Sequence, residues 1–376
     1  MAQSEYEMVK KDSKFISEFI GISKYFGQRF DLIQASGGNS SVKDENRMFI
    51  KSSGYSMAEV GNTNGFSILR NDELIKFLFK TKDKKITEKV EQESFRVLKK
   101  SIINGNAPSI ETFTHSLLKK YTIHIHPVAC NVVSVDKDSR SIFKNLFSHE
   151  IEKENIFYIK YKTPGIALAT EIIRTILPSL NKIKTSEYSA LFLENHGLIC
   201  SSDNKDKLIN YVERIVSKFE KYLGLNFAKY KLTTKISQAL WSHGYDDLVS
   251  YYSEDSIINH YIKKMNLAKI ETPMNPDQLL YCGESVLVIK KSLKLEMGHY
   301  IKKYKTYPRV MIYRKSVYFV AQNILKARES EDVFKSHIYF HSTSSNKRKL
   351  SSANIKKLES YNPQKNRLRF WFDYLK

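Results

Sequence analysis

Two histidines alternate with isoleucines in the run Thr122-Ile123-His124-Ile125-His126-Pro127. Successive side chains of an extended strand point to opposite faces, so residues two apart share a face. A strand over 122–126 therefore projects His124 and His126 from one side, where they can converge on a point. A third imidazole is available in Glu194-Asn195-His196-Gly197, where a strand from about Ala190 to Glu194 delivers His196 at its end. Three histidines meeting in this way make a site for a divalent metal that keeps one coordination position open. That open position separates a catalytic metal site from a closed structural one. A lone buried histidine is ordinarily a satisfied core residue; two on one strand face with a third in a turn are harder to place that way.

An acid stands upstream. Pro108-Ser109-Ile110-Glu111 has the composition of a helix start with Ser109 as N-cap. Glu111 and His115 then lie four apart on one helical face, ending near Lys120. An acid at a helix N-terminus is favoured by the helix dipole alone. A carboxylate within reach of a metal can also ligate it, or act as base toward a coordinated substrate. His115 reads as a packing residue or as a support to the site. A further turn, Ser36-Gly37-Gly38-Asn39-Ser40-Ser41, is too glycine-rich for regular structure. Consecutive glycines expose backbone N–H groups, and Asn39, Ser40, Ser52 and Ser53 add neutral donors. This composition suits a phosphate cradle. No Gly-Lys-Ser/Thr follows it, and no Gly-x-Gly-x-x-Gly occurs, so neither a nucleotide loop nor dinucleotide binding has support.

Around these motifs the pattern is mixed α/β. Phe15, Phe19, Ile22 and Phe26 recur as one face of a first helix over about 13–26. Val42 and Met48-Phe49-Ile50 suggest a hairpin. Leu208, Val212, Ile215 and Phe219 form the face of a helix over about 204–223 that stops at Gly224. A domain boundary is expected near residue 232, giving units 1–232 and 233–376. In the second, Leu280, Val286–Ile289, Val310–Tyr313 and Val317–Val320 read as strands, and the basic, aromatic end from Leu350 to Lys376 as closing in a helix.

Charge narrows the partners. Sixty-one Lys+Arg against 40 Asp+Glu give +21, a balance that raises nucleic acid as a partner. The basic residues are scattered, as in Lys80-Thr81-Lys82 and Lys302-Lys303, with no recognition helix beside them. Solvated faces and attraction for small anionic substrates are the favoured reading, with nucleic acid disfavoured. The polar, acidic N-terminus lacks the apolar core of a signal peptide, and no apolar run is long enough to span a membrane. Cys130, Cys200 and Cys282, few and in apolar surroundings, read as reduced thiols of a cytoplasmic protein.

Taken in order, Gly-Gly-Asn-Ser, Lys-Ser-Ser-Gly, Pro-Ser-Ile-Glu, His-Ile-His-Pro and Glu-Asn-His-Gly resemble the class II aldolase/adducin family over about residues 13–232. The nearest resemblance is to the aldolase half of bifunctional rhamnulose-1-phosphate aldolase/short-chain dehydrogenase proteins, including Met274-Asn275-Pro276-Asp277-Gln278 beyond the core. The resemblance implies an α/β/α sandwich around a mostly antiparallel sheet, a smaller C-terminal α/β extension, and assembly as a homotetramer. It implies that His124, His126 and His196 hold Zn2+ or another divalent metal. Glu111 would be the acid/base, and Ser36, Gly38, Asn39, Ser53, Gly54 and Ser109 would hold substrate phosphate. Tyr161 aligns loosely with a tyrosine that donates a proton in some relatives. The activity implied is cleavage of a ketose 1-phosphate to glycerone phosphate and an aldehyde through a metal-stabilised enediolate. Pentulose-phosphate epimerisation or dehydration by the same metal chemistry is the nearest alternative, and a non-catalytic adducin-like binding module the more distant one. Lys51-Ser52-Ser53-Gly54 departs from the commoner Thr-Pro-Ser-Gly, which bears on substrate identity more than on the metal.

Overall fold

The computed structural model describes residues 2–153, 155–264, 273–343 and 348–360, with side chains from residue 13 onward. The chain divides into two compact units, Met1–Phe227 and Ala228–Lys376.

The first unit opens with α1 (Ala2–Gly27) and the hairpin β1 (Asn39–Asp44) and β2 (Arg47–Lys51), followed by β3 (Phe66–Arg70). Then come α2 (Asn71–Thr81), α3 (Glu88–Ser101), β4 (Ile102–Gly105), α4 (Thr112–Ser116) and β5 (Tyr121–Ile125). The chain continues through α5 (Val128–Ser134), α6 (Ser139–Glu152), β6 (Ile156–Ile159), α7 (Ile166–Ile176) and α8 (Leu180–Thr185). It closes with β7 (Tyr188–Leu193), β8 (Gly197–Ser202) and α9 (Lys205–Leu223). The eight strands form one sheet in the order β4-β3-β2-β1-β5-β8-β7-β6. Neighbours are antiparallel except the β6–β7 pair, so the expected mostly antiparallel sheet is present.

Strand alternation builds the layers. In β2, Met48 and Ile50 pack with Leu74 and Phe77 of α2, Leu98 of α3 and Ile173 of α7. Phe49, between them, faces the other way and stacks on Phe15 of α1 with ring centroids 6.0 Å apart. In β7, Leu191 and Leu193 meet Leu168, Ile172 and Ile176 of α7, while Phe192 stacks on Phe143 of α6 and Phe219 of α9. Helices therefore cover both faces, and the unit is the α/β/α sandwich expected from the sequence. Each large apolar side chain removed from water on either face contributes about 1.5–3 kcal/mol. The first helix begins well before Ser13, and its expected apolar face is real: Phe19, Ile22 and Phe26 are fully buried.

Two local expectations fail. The helix carrying Glu111 is a single turn that starts at Thr112 and ends at Ser116, so Glu111 itself occupies the cap position. Ser109 does not cap it; its hydroxyl accepts from the Glu111 N–H at 3.3 Å. The expected strand at Leu280 is a helix, because Asn275 accepts from the Gln278 N–H at 2.9 Å and Pro276 presets the first turn.

The second unit comprises α10 (Ala228–Trp241), β9 (Val249–Tyr252), α11 (Ser256–Lys264), α12 (Pro276–Cys282) and β10 (Leu287–Ile289). It continues with α13 (Leu293–Tyr304), β11 (Val310–Tyr313), β12 (Ser316–Ala321), α14 (Ile324–Thr343) and α15 (Ser352–Ser360). Its four-stranded sheet has the order β10-β11-β12-β9. Val317 and Phe319 of β12 face Phe334 and Ile338 of α14. Tyr318 and Val320 face Ile236 of α10 and Met297 of α13, the same two-sided alternation. The helix expected at the very end falls on residues 361–376, outside the described residues. Among the described residues, no helix is long and apolar enough to cross a membrane.

Candidate metal centre

The centre stands where β5 ends. His124 is opposite Asn39 of β1 on one side and Ile199 of β8 on the other. His126 lies just past the strand, its N–H donating to the Leu32 carbonyl at 3.0 Å. His196 rides in the two-strand turn between β7 and β8. Asn195 adopts a left-handed φ of 54° there, a conformation asparagine tolerates better than most residues. His196 closes the turn by donating its N–H to Leu193 at 3.2 Å. One ligand nitrogen from each of the three imidazoles lies within 4.8 Å of the others. Ring centroids are 4.8 to 5.3 Å apart.

Glu111 reaches this cluster from the start of α4. Its Oε2 is 3.0 Å from His124 Nδ1 and its Oε1 3.3 Å from His196 Nε2. Neither approach has hydrogen-bond alignment, and Oε1 has no hydrogen-bond partner among the described residues. Asn39 Nδ2 donates to Oε2 at 3.0 Å. Burial pushes the Glu111 carboxyl up, but the His124, His196 and His126 imidazoles outweigh it, and the group is held well below the usual carboxylate range. Burial, then repulsion from the neighbouring imidazoles, lowers His126 to about 3 and His196 to about 4. Both are therefore neutral near pH 7, the form in which imidazole binds a metal. His124 Nε2, His126 Nε2 and His196 Nδ1 are buried with no hydrogen-bond partner among the described residues. Orphaned buried nitrogens are costly unless something occupies them. Three imidazole nitrogens with an adjacent carboxylate fit a divalent metal.

The other segments singled out in the sequence close around Glu111. Lys51 Nζ donates to the carbonyls of Ser36 at 3.4 Å, Ser52 at 3.3 Å and Tyr55 at 2.6 Å. It thus ties the turn at 36–39 to the loop at 52–55. Ser53 N–H donates to Ala107 at 2.9 Å, and Ser52 bridges Pro108, which ties that loop to the run at 107–111. Asn39 Nδ2 is 3.4 Å from Ser109 Oγ, completing the triangle. Ser36, Ser53 and Gly54 are exposed, whereas Gly38 and Asn39 are buried. Asn39 has spent its amide hydrogens on Glu111 and Ser109, so its first task is to orient the acid.

Tyr161 is placed differently. Its backbone N–H donates to Glu194 Oε2 at 2.9 Å, two residues from His196 in sequence, and the residue is 51% exposed. The sequence reading passed over Ser41, which joins its hydroxyl to His115 Nδ1 at 2.8 Å, and gave Lys51 no role. Ser41 was within reach of strand alternation, since Asn39 and Ser41 share one face of β1; Lys51 ends β2, and nothing in its spacing points to the carbonyls it binds.

The family model described as class II aldolase and adducin N-terminal domain matches residues 17–223. Among solved structures, the N-terminal class II aldolase domain of a conserved protein from Thermoplasma acidophilum is 26% identical, covering 55% of this chain and 92% of that one, with a TM-score of 0.44. A sugar-phosphate aldolase from Thermotoga maritima is 16% identical, covering 57% and 95%, with a TM-score of 0.41. L-fuculose-1-phosphate aldolase from Thermus thermophilus is 14% identical, covering 61% and 98%, with a TM-score of 0.32. A search of curated proteins finds no match. The family match runs from within α1 to the end of α9, more than half of the sequence and every residue of the histidine–glutamate cluster; the chain belongs to the class II aldolase and adducin N-terminal domain family.

Proposed function

We propose that this chain is a zinc-dependent sugar-phosphate aldolase that cleaves a ketose 1-phosphate to glycerone phosphate and an aldehyde. The observation that carries this is the convergence of His124, His126 and His196 beside Glu111. The three histidines would hold the metal. When bound, it supplies Lewis-acid stabilisation of negative charge developing on the substrate's oxygens as the carbon–carbon bond breaks.

The protein's own groups do the rest. Glu111, ionised and oriented through Oε2 by Asn39, holds or moves a proton at Oε1, the oxygen without a hydrogen-bond partner. The phosphate sits among Ser36, Gly38, Asn39, Ser53, Gly54 and Ser109, on the three segments that Lys51 and the Ser52–Ser53 contacts hold together. Binding at the phosphate positions the reacting bond at a distance from it. Tyr161 is the proposed partner of the hydroxyl that becomes the aldehyde, accepting its proton on cleavage and donating it back in the reverse direction, with its backbone pinned to Glu194 beside the His196 turn. Three buried free thiols support a place in the reducing cytoplasm, and the family resemblance supports a homotetramer, which light scattering measures.

A panel of ketose 1-phosphates and pentulose phosphates tests the reading. Release of glycerone phosphate from at least one member is expected. Epimerisation with no cleavage of any member would replace the aldolase reading.

A further inference from the structure

Away from the histidines, a cavity of about 400 Å³ opens between β1, α2, the segment after α4 and α8. β1 begins at Asn39, opposite His124, and reaches Lys43, whose N–H donates to the Lys120 carbonyl. Four residues of strand cover about 13 Å, so the cavity and the metal centre lie at opposite ends of β1.

Four lysines, Lys43, Lys119, Lys120 and Lys184, line the cavity against one carboxylate, Asp203. That carboxylate is already engaged: it accepts from Lys119 Nζ and from the Lys120 N–H, each at 3.0 Å. Lys120 turns its ammonium to Glu18 at 3.3 Å and over the Phe15 ring. Lys43 and Lys184 have no carboxylate partner among the described residues. Lys43 is half-buried as a residue, and its Nζ donates to the Lys119 carbonyl at 2.8 Å and to Thr122 Oγ1 at 3.3 Å. Burial lowers it to about 7 against the pull of Asp203. A desolvated amine without a counter-ion holds its proton weakly, and an anion beside it restores the charged form. A merely solvated lysine face would not contain such an amine.

Asn71 adds a second constraint. It is 6% exposed and lines the cavity; Nδ2 donates to the Ser116 carbonyl at 3.1 Å, while buried Oδ1 has no hydrogen-bond partner among the described residues. That oxygen asks for a donor from a ligand. The apolar walls, such as Phe79 and Ile183, leave these polar groups as the points of recognition. The volume suits a small metabolite.

We propose that this cavity binds a hydroxylated phosphate monoester, with Lys43 and Lys184 as counter-ions to the phosphate and Asn71 Oδ1 accepting from a hydroxyl. The site is independent of the activity proposed above. Isothermal titration of the full chain with glycerol 1-phosphate, and separately with inorganic phosphate, tests it. A binding component is expected that weakens about tenfold or more in Lys43→Met, as loss of a charge-assisted hydrogen bond implies. The same component is lost in Lys184→Glu and kept in Asn39→Ala, which alters the metal centre instead. Lys184 is exposed, so Lys184→Glu decides the matter even if Lys43→Met does not fold. Binding that is unchanged in both lysine variants overturns the site. Equal affinity for inorganic phosphate overturns the hydroxylated ligand.

Discussion

Gly38→Ala probes how closely the phosphate turn is built against the metal strand. Gly38 has φ +64°, and a Cβ there would stand 2.5 Å from the His124 carbonyl oxygen and 2.6 Å from Ile33 Cδ1. The left-handed backbone alone costs an alanine about 1–2 kcal/mol. Ile33 can change rotamer, but the His124 oxygen belongs to a central strand and moves only with it. Overpacking of that kind adds about 1–3 kcal/mol. Gly54 provides the control, since its φ is +84° and nothing among the described residues lies within 4 Å of its Cβ position. Gly54→Ala should then lose only the conformational part. Urea denaturation of the metal-free proteins should show Gly38→Ala as the less stable by about 1–3 kcal/mol, the overpacking contribution. Metal content should fall in Gly38→Ala and hold in Gly54→Ala, because only the first displaces His124. Equal stability losses in the two variants would refute the close approach.

Glu111→Gln should keep its metal and lose proton exchange on glycerone phosphate, followed by NMR in deuterated water; undiminished exchange removes Glu111 as the base. Asn39→Ala should lower kcat/KM about tenfold or more, since it removes a hydrogen bond to a charged group. An analogue lacking phosphate should suffer too, because Asn39 holds Glu111 at 3.0 Å; an analogue turned over at the native rate would contradict that. In the metal-free protein, His126 and His196 titrate at about 3 and 4, whereas an unfolded histidine titrates at about 6.5. As pH falls below about 6.5 the unfolded chain takes up protons first. Fold stability should therefore drop by about 1.4 kcal/mol per pH unit for each histidine down to about pH 4. Stability that stays flat over this range would show that the two rings are not held neutral by the fold.

Much of the site was legible because its geometry is local. Period-two spacing suffices to aim His124 and His126 together, and Asn195-His196-Gly197 reads as a turn because asparagine accepts the left-handed φ found there. Contacts distant in sequence were not legible. Ser41 meets His115 across 74 residues, and nothing near either residue announces the partner. Ser109 looked like a cap because serine usually caps; here its hydroxyl serves the Glu111 N–H and Asn39 instead, so the helix starts later. Leu280 was misread for a related reason. A short apolar run suits strand or helix equally, and Asn275 with Pro276 tipped it to helix.

Metal content is the measurement that bears most directly on the account. Purified protein should carry about one divalent ion per chain, as an open three-histidine site implies, and a His124→Ala/His126→Ala double variant should carry none. Full occupancy in the folded double variant would place the metal elsewhere and undo the assignment.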